Sequence, residues 1–167
     1  MRKVLVILII VLFCSWVSPG YAQELNLGFV NLKKVLDEYE KVKEGEGQLF
    51  KEAEEKNNQR EKLVKEIKNL REKLDLLKDK RKEKKQRELE EKVKKLQDFT
   101  YETRADLRQR RDEKFREIMK EVKDVLEEYG QSRNYNIIID DTLLLYKDSN
   151  LDVTEDVIKI LNQRYKE

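Results

Sequence analysis

Leu63-Val64-Lys65-Glu66-Ile67-Lys68-Asn69-Leu70-Arg71-Glu72-Lys73-Leu74-Asp75-Leu76-Leu77 decides how this chain is read. Leu63, Ile67, Leu70, Leu74 and Leu77 step by 4, 3, 4 and 3 residues, the spacing that keeps one apolar seam turned toward a partner helix. The same rhythm returns as Leu89, Val93 and Leu96, then Leu107, then Phe115, Ile118, Val122, Val125 and Tyr129. Two seams predict two helices packed on each other.

Around these seams, Gln48 to Tyr129 is 82 residues without glycine or proline, rich in Glu, Lys, Arg, Gln and Leu, so nothing in it stops a helix. As one straight helix it would reach about 120 Å at roughly 1.5 Å per residue, so we expect it to double back. The gap between the seams, Lys78-Asp79-Lys80-Arg81-Lys82-Glu83-Lys84-Lys85-Gln86-Arg87, has no apolar residue, and Asp79 suits a helix cap. We place the tip near Leu77 to Arg81 within a tip region 77–87. The alternative is one uninterrupted helix in an extended coiled coil. Asn57-Asn58-Gln59 on the outgoing arm and Thr100, Tyr101 and Thr103 on the returning arm interrupt the seam and are expected to let the arms bend. Most of the arm aromatics, Phe99, Tyr101, Phe115 and Tyr129, are expected to pack in the seam.

Met1-Arg2-Lys3, the uncharged run Val4 to Val17, and small residues at Gly20 and Ala22 read as a secretory signal peptide cleaved after Ala22, placing the mature protein in the periplasm. The chain's only cysteine, Cys14, falls in that leader, and there is no histidine. Thiol chemistry and the commonest metal ligand and general base are therefore absent from residues 23–167. No carboxylate pair stands in an apolar or glycine-rich setting that would tune an acid or base, and no phosphate loop or metal spacing occurs. The sequence reads as a non-enzyme with no cofactor and no metal.

Charge is balanced after the leader, 35 basic against 35 acidic, but unevenly spread. The tip run holds seven basic residues, Lys78, Lys80, Arg81, Lys82, Lys84, Lys85 and Arg87, against two acidic ones, and both ends of the chain are acidic. Such a tip suits electrostatic capture of acidic chains, or contact with anionic lipid or lipopolysaccharide, screened over about 10 Å at ordinary salt. Along the arms, charges such as Glu117 and Glu121 against Lys120 read as solvated helix faces. The cluster Arg104, Arg108, Arg110 and Arg111 raises nucleic-acid binding, which the interspersed Asp106, Asp112 and Glu113 and the leader argue against.

Outside the arm, Leu25, Leu27 and Phe29 alternate as a half-buried strand, and a short helix from about Leu32 to Lys43 follows, with Gly45 and Gly47 as the joint to the arm. Gly130 is expected to end the returning helix in a left-handed cap. Ile137-Ile138-Ile139 and Leu143-Leu144-Leu145-Tyr146 read as two strands of a hairpin, buried on both faces. Thr154 is expected to cap a last helix whose apolar face is Val157, Ile158, Leu161 and Tyr165. The fold class is thus α+β, mostly helical: a long antiparallel helical hairpin, 48–129, inserted in a small β body made of 23–47 and 130–167. Those 63 body residues bury little apolar surface and leave sheet edges open, so self-association is expected.

The order of leader, Leu27-Gly28-Phe29-Val30-Asn31-Leu32-Lys33-Lys34-Val35-Leu36, charged hairpin, Tyr135-Asn136-Ile137-Ile138-Ile139-Asp140, Leu145-Tyr146 and Leu151-Asp152-Val153-Thr154-Glu155-Asp156-Val157-Ile158 resembles the Skp/OmpH family of periplasmic chaperones. The resemblance implies a homotrimer whose subunits add strands to a common body, with Leu27, Phe29, Ile137, Ile139, Leu143 and Leu145 in that body and Lys78 to Arg87 at the tentacle tip. It implies an ATP-independent holdase that keeps unfolded outer-membrane proteins in a cavity between the arms. The competing reading is a secreted structural coiled-coil spacer or adaptor of the cell envelope.

Overall fold

The computed structural model describes residues 25–76 and 80–167, with Lys80 as backbone only. The leader, Leu77, Lys78 and Asp79 lie outside the described residues. In chain order the elements are β1 (Leu27–Val30), α1 (Leu32–Glu38), α2 (Glu40–Asp75), α3 (Lys80–Ser132), β2 (Ile137–Asp140), 3-10 turns at Asp141–Leu143 and Ser149–Leu151, and α4 (Thr154–Lys166).

Helices α2 and α3, 36 and 53 residues long, are the two arms, about 54 and 80 Å at 1.5 Å per residue. One ends at Asp75 and the other begins at Lys80, so the chain reverses between them. Ile67, Leu70 and Leu74 are buried in the seam, and Leu63, Leu89, Val93 and Leu96 are half-buried. Antiparallel rungs cross it: Glu66 to Lys92 at 2.5 Å, Glu52 to Arg110 at 2.9 Å, and Lys114 donating to Gln48 at 3.1 Å. At the base, Lys41 of α2 reaches Glu117 at 2.7 Å and Glu121 at 2.5 Å on α3, so these carboxylates pair across the hairpin and not with Lys120.

Because α3 is the longer arm, it runs past the start of α2 and supplies Val122, Val125 and Tyr129 to the core, where they meet Val30, Val35, Tyr39, Val153, Val157 and Leu161. The body is therefore not built from the two chain ends alone. The base of the arm adds the apolar surface that a unit of their size lacks.

The joint between body and arm lies at Tyr39, in extended conformation (φ −70°, ψ 117°), and α2 runs unbroken through Gly45 and Gly47. This corrects the expected glycine joint. Tyr39 offers no side-chain cap to α2; instead Asn162 of α4 accepts from the Glu40 N–H at 2.8 Å and donates to the Glu38 carbonyl at 3.3 Å. One side chain thus serves both severed helix ends, which have unpaired backbone groups by construction.

The other helix ends differ from expectation too. Gly130 keeps a negative φ inside α3, and the left-handed residue is Asn134 at φ 58°. Tyr135 N–H bonds to the Gly130 carbonyl at 2.9 Å and Asn134 N–H to Gln131 at 3.4 Å, while the Tyr135 ring stacks on Tyr129. That pattern is a Schellman motif with asparagine in the left-handed position. Thr154 is the first residue of α4, not its cap; Asp152 accepts the Thr154 N–H at 2.9 Å, and the Thr154 hydroxyl accepts from Asn31 N–H at 2.9 Å.

β1 and β2 pair in parallel, Leu27 with Ile137 through Val30 with Asp140. A third strand from Leu143 to Tyr146 does not form in the single chain. Asp140 accepts from the N–H and hydroxyl of Thr142 and folds the segment into a 3-10 turn, and Lys147 is drawn back to Asp141 at 2.5 Å. Nor are these runs buried on both faces: Leu143 and Tyr146 are 75% and 87% exposed, and Leu145 fully so. Gly28 lets the Tyr135 ring lie close over β1, where a Cβ would come within 3.0 Å of it.

Asn162→Ala should lower stability by about 1 to 2 kcal/mol, because a half-buried cap and a second hydrogen bond are lost together, read by urea unfolding. Gly47→Ala should raise stability by about 0.5 to 1 kcal/mol, since a Cβ there meets open space in mid-helix. Stability unchanged or reduced in that variant would mean the backbone at Gly47 is not the regular helix described.

Candidate functional site

Two surfaces stand out, one at each end of the molecule. At the base, the pairing register places Leu27, Phe29, Ile137 and Ile139 on one face of the sheet, while Val30 and Ile138 join the helical core on the other. Phe29 is buried, with the Lys147 ammonium 5.0 Å from its ring centre. Leu27 and Ile139 are half-buried, and Ile137 is 46% exposed.

β1 is flanked by β2 on one side and by the bridge from Phe29 to Asp152 on the other, so the open edge of the sheet is β2. Leu143, Leu145 and Tyr146 extend from that edge with their side chains in solvent. Of the six sequence-predicted body residues, four share one face of the strands and two, Leu143 and Leu145, stand exposed in the loop that follows β2.

Asn31, the residue after β1, ties this region to the helices. Its carboxamide oxygen caps α1 by accepting from Lys34 N–H at 2.7 Å, and its amide donates to Asp141 at 2.8 Å. Asp141 is 9% exposed and also holds Lys147, so the loop bearing the exposed leucines is anchored at its start.

At the opposite end, Arg81, Lys82 and Lys84 are exposed in the first turns of α3, the helix that begins at Lys80. Lys85 pairs with Glu88 at 2.5 Å and Arg87 with Glu83 at 3.3 Å. The tip cluster is thus partly self-neutralised, and the Lys85 hydrogen bond holds the Glu88 carboxyl below its ordinary range. Lys78 lies outside the described residues. Basic groups at a helix N-terminus oppose the helix dipole, costing a few tenths of a kcal/mol to about 1 kcal/mol each at an exposed site, so helix stability does not explain their placement.

Between these ends the arms are not tightly closed. At the level of Asn57 and Thr100, where the seam is polar, Ala53, Lys56, Arg60 and Phe99 line a groove of about 340 Å³. Thr100 hydroxyl donates to the Leu96 carbonyl at 2.7 Å, a back-bond that favours helix bending. Phe50, which sequence reasoning did not single out, is 71% exposed nearby. Its position off the seam was the available signal. Tyr101 and Phe115 are exposed as well, whereas Phe99 is half-buried and Tyr129 is buried in the core of the body, so the expectation that most arm aromatics pack in the seam does not hold. Among the described residues no helix is long and apolar enough to cross a membrane, and no group of acidic residues, His or Cys could hold a metal ion.

A family model described as Outer membrane protein (OmpH-like) matches residues 26–161, from the start of β1 through most of α4. The chain belongs to the OmpH-like family. No curated protein gives a significant match. Among solved structures, a candidate outer membrane chaperone (OmpH-like) from Caulobacter crescentus CB15 superposes with a TM-score of 0.77 at 12% identity, covering 89% of this chain and 91% of that one. At that identity the likeness shows the fold. The OmpH-like match embraces the sheet, both arms and the exposed leucines, so the surfaces above are set within the family's region.

The base of the OmpH-like hairpin is locked by ionised groups. Hydrogen bonds to Glu117 and Glu121 raise the Lys41 ammonium well above its ordinary value, and Lys41 in turn lowers the Glu117 carboxyl. Burial, then donation to Glu121 at 2.8 Å, holds the Tyr39 hydroxyl well above its usual range. Burial and a bond to Asp156 push Tyr129 up to about 12. A lowered carboxyl contributes stability above its unfolded value of about 4.3 and loses it as pH falls further; a raised ammonium contributes below about 10.4 and loses it as pH rises. Stability should therefore be flat between about pH 5 and 9 and fall below about pH 4, with Glu117→Gln reducing that acid limb by under about 1 kcal/mol in urea melts across pH.

Proposed function

We propose that this OmpH-like protein is an ATP-independent periplasmic holdase that joins as a homotrimer and keeps unfolded outer-membrane proteins from aggregating in a cavity between its helical arms. The observation that carries this reading is the open β2 edge with Ile137, Leu143, Leu145 and Tyr146 in solvent. An unpaired strand continued by exposed leucines is a template for strand pairing between copies, and a lone chain in water has no reason to keep it. In the assembly the Leu143 to Tyr146 segment supplies the strand that the single chain lacks.

With copies joined at the body, the arms project from a common base. Their imperfect seam, exposed aromatics and long lysine and arginine stems give many weak apolar contacts without imposing one geometry, which is what holding an unfolded chain requires. The basic tip residues Lys80, Arg81, Lys82 and Lys84 favour first contact with acidic chains, or with anionic lipid or lipopolysaccharide head groups. A spacer that binds no unfolded chain would share the arms and have no use for a client-protecting cavity.

Mixing the protein lacking residues 1–22 with a urea-unfolded outer-membrane β-barrel, diluting the urea and following light scattering and complex mass tests the proposal. We expect aggregation suppressed without nucleotide, in complexes of three subunits to one client. Leu143→Ser with Leu145→Ser should shift the free protein toward monomer and abolish protection. Client aggregation at its own rate would put the spacer reading in front.

A further inference from the structure

On α3, Tyr101, Arg104, Arg108 and Arg111 are spaced 3, 4 and 3 apart and so share one face of the helix. Arg110, one step round, is committed to Glu52 and Asp106, and Arg111 has only a long contact of 3.7 Å to Asp112. Arg104 and Arg108 make no ion pair or hydrogen bond among the described residues. Both line a groove of about 540 Å³ whose floor comes from both arms, Leu49 and Phe50 on α2 and Leu107 on α3. A second, open groove on the far side of the same two arginines is lined by Tyr101. Two uncompensated guanidinium groups therefore stand between two exposed aromatic rings over an apolar floor.

We infer that this mid-arm surface, Phe50, Tyr101, Arg104, Leu107 and Arg108, is a docking site for extended peptide segments that carry a carboxylate next to an aromatic side chain. The planar guanidinium pairs a carboxylate in two places and stacks on a ring, which a lysine does not do as well. The apolar floor accepts the ring, and Phe50 loses its exposure on occupation. A strip lined by both helices suits one extended chain. The inference deepens the holdase reading by naming which client segments the arms select, and it rests on that reading only for the role of those segments in a client.

The test uses the full chain without residues 1–22 and labelled twelve-residue peptides in fluorescence anisotropy: one with alternating Phe and Asp, one with each Asp replaced by Asn. We expect the acidic peptide to bind at least tenfold tighter, with that preference shrinking as salt is raised. Arg104→Gln with Arg108→Gln should erase the preference while leaving the Asn peptide unaffected; Phe50→Ser should weaken both peptides. Unaltered circular dichroism and unfolding midpoint exclude a folding defect, as neither arginine makes an ion pair or hydrogen bond among the described residues. Equal affinity for the two peptides, or a preference that survives in the double variant, overturns the inference. Because the light-scattering assay is separate, suppressed aggregation with no peptide preference would overturn this site and keep the holdase, while the preference without suppression would do the reverse.

Discussion

The break at Tyr39 is the constraint on which the rest of the architecture depends. If α1 and α2 were one helix, the segment that packs under α4 and the segment that leaves as an arm would have to share an axis. The extended residue separates them, and Asn162 satisfies the backbone groups that the separation exposes. Tyr39 itself is buried, bonded through its hydroxyl to Glu121, with its ring edge-on to Tyr165. The arm's direction is thus set by contacts from α3 and α4, and the Lys41 pairs immediately beyond it fix the first rung of the hairpin.

This arrangement explains what was legible in the sequence and what was not. The two seams are local periodicities, so the helices and the reversal between them could be read from Leu63 to Tyr129. The break could not: its determinant, Asn162, lies 122 residues away in sequence from the N–H that it accepts from. Glycine propensity pointed to Gly45 and Gly47, but a cost of about 1 kcal/mol each is small beside the packing of a long helix and does not end it. Asn134 took the left-handed position expected of Gly130 because the helix continues about one more turn before Tyr135 finds Tyr129 to stack on.

The candidate surfaces were legible in part for the same reason. An apolar run reports that a segment is covered by something, and Leu143 to Tyr146 was read as strand on that ground. The run is apolar, yet nothing among the described residues covers it, and in the single chain it begins as a 3-10 turn and not as the expected strand. Charge counting found the tip, but not that Glu83 and Glu88 reclaim two of its cations, nor that Glu117 and Glu121 serve Lys41 across the hairpin. Phe50 escaped notice because a single aromatic off the seam has no periodic companions to mark it.

The parallel pairing of Leu27 with Ile137 has a consequence for the order of events in folding. The arms are stabilised by neighbours in a hairpin and can zip from their reversal, so their contacts close short loops one after another. The sheet joins residues separated by 110 positions, and α4 arrives later still. Loop-closure entropy makes such a pairing late and slow. A chain emerging from its N-terminus would thus carry β1 as an unpaired ribbon for most of its synthesis, and the sheet with its open β2 edge would exist only once the last quarter of the chain has been delivered.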